Sequence, residues 1–79
     1  MQEQEKSKPR IMSDTEYNLH KQLAEELAFL WHVDGYIRDA EKDGNQQAVE
    51  VFKKIKEDEE RHAQMLRGLL QQKGQAATA

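Results

Sequence analysis

The sequence predicts an all-α chain, an antiparallel helical hairpin that dimerises into a four-helix bundle. Three observations predict it. Two long stretches carry apolar residues at helical spacing, and no stretch alternates as a strand would. The only strong break in the middle of the chain is Asp43, Gly44 and Asn45, too short to do more than reverse direction. The chain has 79 residues and no Cys, so it forms at most one domain, with no disulfide to support a small core. Association or a metal ion is the expected support.

The elements follow in order. Residues 1–12 are polar, contain Pro9 and show no periodicity, which reads as a mobile N-terminal tail. Ser13 or Asp14 offers a helix N-cap, and Glu16 stands three residues after Ser13, the spacing of a capping box. The first helix runs from there to the Asp43–Gly44–Asn45 break. The second is expected from about Gln46 to Lys73, with Gly74 as its stop and 74–79 as a mobile C-terminal tail. The hairpin therefore occupies 13–73.

Phase within the two helices carries the functional signal. In the first, Leu19, Leu23, Glu26, Leu30, Val33, Ile37 and Ala40 follow a 4-3-4-3-4-3 spacing, the a and d positions that face a partner helix. All are apolar except Glu26. In the second, Ala48, Phe52, Ile55, Glu59, His62, Leu66 and Leu69 follow the same spacing, and all are apolar except Glu59 and His62. Glu25 and Glu60 fall outside both series, Glu60 in line with Lys56, Gln64 and Arg67, and are expected to face water.

Height agrees with phase. Counted from Gly44, Glu26 lies 18 residues before the turn, and Glu59 and His62 lie 15 and 18 residues after it. At about 1.5 Å rise per residue, all three fall within roughly one helical turn of the same level.

Burying ionised carboxylates without compensation is very costly. No Lys or Arg occupies either series, so a metal ion is the expected compensation. A Glu and a His three residues apart project to the same side of a helix, and the facing Glu26 adds a further oxygen. One hairpin supplies half a coordination shell. Two hairpins related by a twofold axis supply four carboxylates and two imidazoles, which neutralise two divalent cations. That is the ligand set of di-iron and di-manganese four-helix bundles. The alternative, a polar layer that fixes helix register, leaves two carboxylates per chain unpaired.

The segments "EELAFLWHVDGYIRDAEKDG" and "AVEVFKKIKEDEERHAQML" resemble the ferritin-like superfamily, and within it the rubrerythrin branch. The shared features are an inward Glu and, 33 residues on (26 to 59), "DEERH" carrying Glu-x-x-His. The single half also resembles the encapsulated ferritins, whose subunits pair to complete their centres. The resemblance implies a ferritin-like bundle with a di-iron centre, two ions per dimer, built from Glu26, Glu59 and His62 of two chains. It implies oxidation of Fe(II) by dioxygen or peroxide, or reduction of peroxide with an external donor. It also implies that Asp58 accepts a hydrogen bond from a ligand His of the opposite half; the plain alternative is a solvated helix carboxylate, with Arg61 as one partner within reach. In place of the Tyr that rubrerythrins often carry seven residues after the first Glu, this chain has Val33.

Manganese and zinc suit the same donors. A second class of function is a metal-stabilised structural or interaction module without redox turnover. A third is a plain helical adaptor that folds without metal. The expected partners are a second copy, or a higher multiple of dimers, with an encapsulating shell or electron donor as further candidates. A net charge of −3 with no basic patch argues against nucleic acid. No apolar run approaches the roughly 18 residues of a membrane span, and no signal peptide is visible, so a cytoplasmic location is expected. Trp31, Phe29, Tyr36 and Met65 flank the two series and are expected as core and dimer-contact residues.

Overall fold

The computed structural model describes residues 11–78, with side chains as far as Gln72. Two helices, α1 (Asp14–Lys42) and α2 (Gln46–Thr78), pack against each other as a hairpin. The tail expected over 1–12 lies outside the described residues as far as residue 10.

Each helix end has a chemical reason. Ser13 is the N-cap of α1: its hydroxyl accepts from the Glu16 amide at 3.1 Å, and its own amide donates to Glu16 Oε1 at 3.5 Å. The capping box thus satisfies two donors that a helix start leaves open. At the other end the Asn45 amide donates to the Ala40 carbonyl at 2.9 Å and the Gly44 amide to the Glu41 carbonyl at 3.0 Å. This is a Schellman closure, and it needs the left-handed backbone that Gly44 supplies at φ 68°. Asn45 then caps α2, its side-chain oxygen accepting from the Ala48 amide at 3.0 Å. One short turn thus ends one helix and starts the next, which forces the antiparallel arrangement.

Gly74 does not stop α2. The backbone stays helical to Thr78. A lone interior Gly costs only about 0.5–1 kcal/mol relative to Ala, and the residues that follow, Gln75, Ala76 and Ala77, are good helix formers.

The seven positions predicted inward on α1 are all buried or half-buried. Val33 is 0% exposed and Ala40 is buried as well. On α2 the contact face is turned slightly. Its buried residues are Val49, 1% exposed, and Ala63. Lys56 and Leu70 share their line and are half-buried. Phe52, Glu59 and Leu66 lie inward as expected, whereas Ala48, Ile55 and His62 sit on the flank and Leu69 is exposed. The expectation that no basic residue enters the seam is corrected here. Lys56 crosses to α1, its ammonium donating to Asp34 Oδ1 at 2.9 Å. A long aliphatic stem lets it cover apolar surface while its charge reaches the rim.

The Lys56 hydrogen bond, and then its charge, hold the Asp34 carboxyl below its ordinary value of 3.8, and Asp34 in turn raises Lys56. A depressed carboxyl stabilises the fold above its unfolded pKa and loses that contribution as pH falls through the folded value. Asp34→Asn should therefore melt slightly below wild type at neutral pH, and the two melting temperatures should converge well below pH 3.8. A gap that persisted in acid would mean that Asp34 acts other than through this pair.

Phe29, Tyr36 and Phe52 form a contiguous chain, with ring centroids 6.1 and 5.6 Å apart. Trp31 and Met65, by contrast, are largely exposed and form no part of the hairpin core. No described helix is long and apolar enough to cross a membrane.

Candidate metal centre

Glu26 comes from the middle of α1, and Glu59 and His62 from the middle of α2. His62 stands one turn after Glu59, so the two side chains emerge on the same side of α2. The antiparallel turn sets Glu26 opposite them. Ligand-type atoms of all three lie within 4.8 Å of one another. Among the described residues this is the group of three such side chains that could hold a metal ion.

The detailed geometry aims one nitrogen at both acids. His62 Nδ1 lies 3.3 Å from Glu59 Oε1 and 3.9 Å from Glu26 Oε1. The side chains of Glu26, Glu59 and His62 are 11%, 26% and 44% exposed. Exposure thus rises from the seam outward, and the imidazole sits at the open flank of the hairpin.

The second oxygen of Glu26 is held from its own helix. Gln22 Nε2 donates to Glu26 Oε2 at 2.7 Å, which leaves Oε1 directed at the cluster. Sequence reasoning missed this contact, although the signal was present as a Gln four residues before an inward Glu. The ion-pair contacts of Glu26 and Glu59 among the described residues are with His62 alone. Among the described residues no Lys or Arg pairs with the two acids.

The neighbouring acids are engaged elsewhere. Glu25 accepts from Lys21 Nζ at 3.1 Å on the solvent side. Glu60 is exposed and lines a shallow groove with Leu23, Leu27, Leu30, Ala63 and Arg67. Asp58 accepts from Arg61 Nη2 at 2.9 Å and lies 3.8 Å from Lys54 Nζ. The Arg61 hydrogen bond is the main cause that lowers the Asp58 pKa, opposed by partial desolvation. Asp58 does not join the three-residue cluster within the hairpin.

The donor set suits a divalent first-row metal. Two carboxylates and one imidazole are the oxygen and nitrogen ligands that iron, manganese and zinc accept. They converge in a half-buried place and carry uncompensated charge. Three donors still fall short of enclosing an ion, and they point to the flank where further ligands would have to arrive.

The family comparison bears on the same residues. The rubrerythrin family model matches residues 3–70, which include both helices' functional segments. The chain belongs to the rubrerythrin family. No curated protein and no solved structure matches it. Within the matched segment Glu26 faces Glu59 and His62 at one level of the hairpin.

Proposed function

We propose that two copies of the hairpin close face to face into a ferritin-like four-helix bundle, and that they hold two iron ions between them. Glu26, Glu59 and His62 of each chain are the ligands. The centre oxidises Fe(II) with dioxygen or peroxide. The observation that carries this reading is the convergence of two carboxylates and one imidazole within 4.8 Å, half-buried and, among the described residues, with no Lys or Arg paired to the acids.

Shape and charge support it. The hairpin extends 50 × 33 × 14 Å, a single layer of helices. One layer buries only one stripe of each helix, and domains form by packing layers together. The flank that carries His62 also carries Ala48 and Ile55, both half-buried, and Leu69, which is exposed. By helical spacing Phe29 and Tyr36 extend that apolar face across α1. Two chains bring four carboxylates to the middle of such a bundle, and two divalent ions balance them.

Bound iron supplies the change between Fe(II) and Fe(III) that these side chains cannot supply themselves. The chain does the rest. Glu26 and Glu59 must be ionised and His62 unprotonated on Nδ1, so binding weakens as pH falls. Gln22 fixes the rotamer of Glu26 so that one oxygen stays on the ion. Leu30, Ile55 and Leu66 exclude water from the flanking levels. Asp58 would serve a ligand histidine of the second copy, which requires it to share or release Arg61.

An anaerobic Fe(II) titration tests the shared site. Binding should saturate at about one ion per chain, two per dimer. Light scattering should give a dimer or a multiple of dimers, and admission of oxygen should oxidise the bound iron with a near-ultraviolet absorbance change. A monomer that bound two ions would sink the shared site. A site that bound metal but never turned over would favour the structural-module alternative.

A further inference from the structure

Two neighbouring acids on α1 are each held from one turn earlier on their own helix, by donors of different kinds. Lys21 Nζ donates to Glu25 Oε2 at 3.1 Å, and Gln22 Nε2 donates to Glu26 Oε2 at 2.7 Å. Both pairs use the same four-residue spacing. The ammonium offsets the charge of the acid it holds, and that acid lies on the solvent side. The amide occupies one oxygen and leaves the charge of Glu26 intact. Its nitrogen must be the atom presented, because a carboxamide oxygen so close to a carboxylate oxygen would be repelled.

The result is a carboxylate with one oxygen taken and the other aimed at the cluster. Glu26 Oε1 lies 3.9 Å from His62 Nδ1. Gln22 also stands one heptad before Phe29 and two before Tyr36, on the line that extends the apolar face of α1. It is exposed in the single hairpin. Closure of the proposed bundle covers that line, and a hydrogen bond removed from water is stronger than one that water can replace.

We propose that Gln22 is a positioning residue that sets the ion preference of the metal centre: by occupying Oε2 it restricts Glu26 to one oxygen, and so favours first-row transition ions over calcium. The proposal deepens the metal reading above and rests on it. Calcium gathers about six to eight oxygens and often takes both oxygens of a carboxylate. Zinc is satisfied by fewer ligands and accepts imidazole readily. A Glu26 free to turn could close on an ion with both oxygens, which suits the larger cation. A Glu26 held by Gln22 offers one oxygen beside Glu59 and the His62 nitrogen. A neutral donor is the kind the site needs, since it orients the acid without cancelling the charge that draws the cation.

Zn(II) titrations of the purified chain, with and without excess Ca(II), test this in wild type, Gln22→Ala and Gln22→Lys. Gln22→Ala should lower the ratio of Zn(II) to Ca(II) affinity by about 10-fold, the scale on which residues that orient a ligand act. Gln22→Lys keeps a donor on Oε2 but adds a charge, so it should weaken both ions alike and keep the wild-type ratio. In chelator Gln22→Ala should melt no lower than wild type, because alanine is the better helix former and the position is exposed. An unchanged ratio in Gln22→Ala overturns the proposal, whether both affinities stay the same or both fall together as a merely structural role would make them. A ratio in Gln22→Lys that drops to that of Gln22→Ala overturns it too. Wild type that binds neither ion removes the metal reading and this proposal together, whereas wild type that binds Zn(II) beside variants of unchanged ratio removes this proposal alone.

Discussion

His62→Ala and Glu59→Ala are each expected to abolish iron oxidation while leaving the helices intact. Changes to residues that merely orient a ligand cost about 10–100-fold in metal affinity, and removal of a ligand should cost at least that. The geometry says why neither loss can be made good. His62 Nδ1 is the one nitrogen facing both Glu26 and Glu59, at 3.9 and 3.3 Å. Glu25 and Glu60 provide the contrast. Glu25 is paired with Lys21 on the solvent side, and Glu60 faces the opposite groove, so Glu25→Ala and Glu60→Ala should change binding little. Binding isotherms should be measured beside rates, because an acid on the entry route affects rate alone. If Glu25→Ala weakened binding as much as Glu26→Ala, the inward assignment of Glu26 would fail.

Glu26→Leu should raise the stability of the metal-free protein and weaken its response to metal. The side chain of Glu26 is 11% exposed and sits between the levels of Leu23 and Leu30. A leucine there completes the apolar stripe and removes a carboxylate from the seam. Replacing buried ionic groups with packed apolar ones is often neutral or stabilising, by roughly 1–4 kcal/mol. Gln22 loses its acceptor, but it is exposed and water replaces the contact. Metal stabilises the native state only in proportion to its binding, so Fe(II) or Zn(II) should raise the melting temperature of the variant less than that of wild type. Melts with chelator and with metal test both halves together. A variant less stable without metal, with metal binding unchanged, would remove Glu26 from the ligand set.

Much of the site was legible because helices repeat strictly. Glu26, Glu59 and His62 fall at inward positions of two apolar series, and similar distances from Gly44, 18, 15 and 18 residues, put them within about one helical turn of the same level. Other features were less legible. The Gln22 contact was missed because a Gln one turn from an acid is common and its rotamer is not written in the sequence. Asp58 was read either as a helper to an opposite histidine or as a solvated carboxylate within reach of Arg61, and within the hairpin it accepts from Arg61 three residues on. Trp31 and Met65 were read as core and dimer-contact residues, and the hairpin, a single layer of two helices with only one inner face, leaves both exposed.

The sequence by itself determined the capping box at Ser13 and Glu16, the Gly44 turn, the two helical segments and the two inward acids, Glu26 and Glu59. These depend on local chemistry or on a period of 3.6 residues, and both act within a few residues of chain. The tertiary structure decided the rotation of α2. Heptad spacing defines a face only to within about one residue, since 48-52-55-59 and 49-52-56-59 describe neighbouring stripes of one helix. Packing chose between them. The small Ala40 and Ala63 and the fully buried Val33 and Val49 let the helices approach closely on the second stripe. That turned Lys56 inward to reach Asp34 and moved His62 to the flank. Contact between two helices is a property of both surfaces together, so neither helix's own pattern could state it.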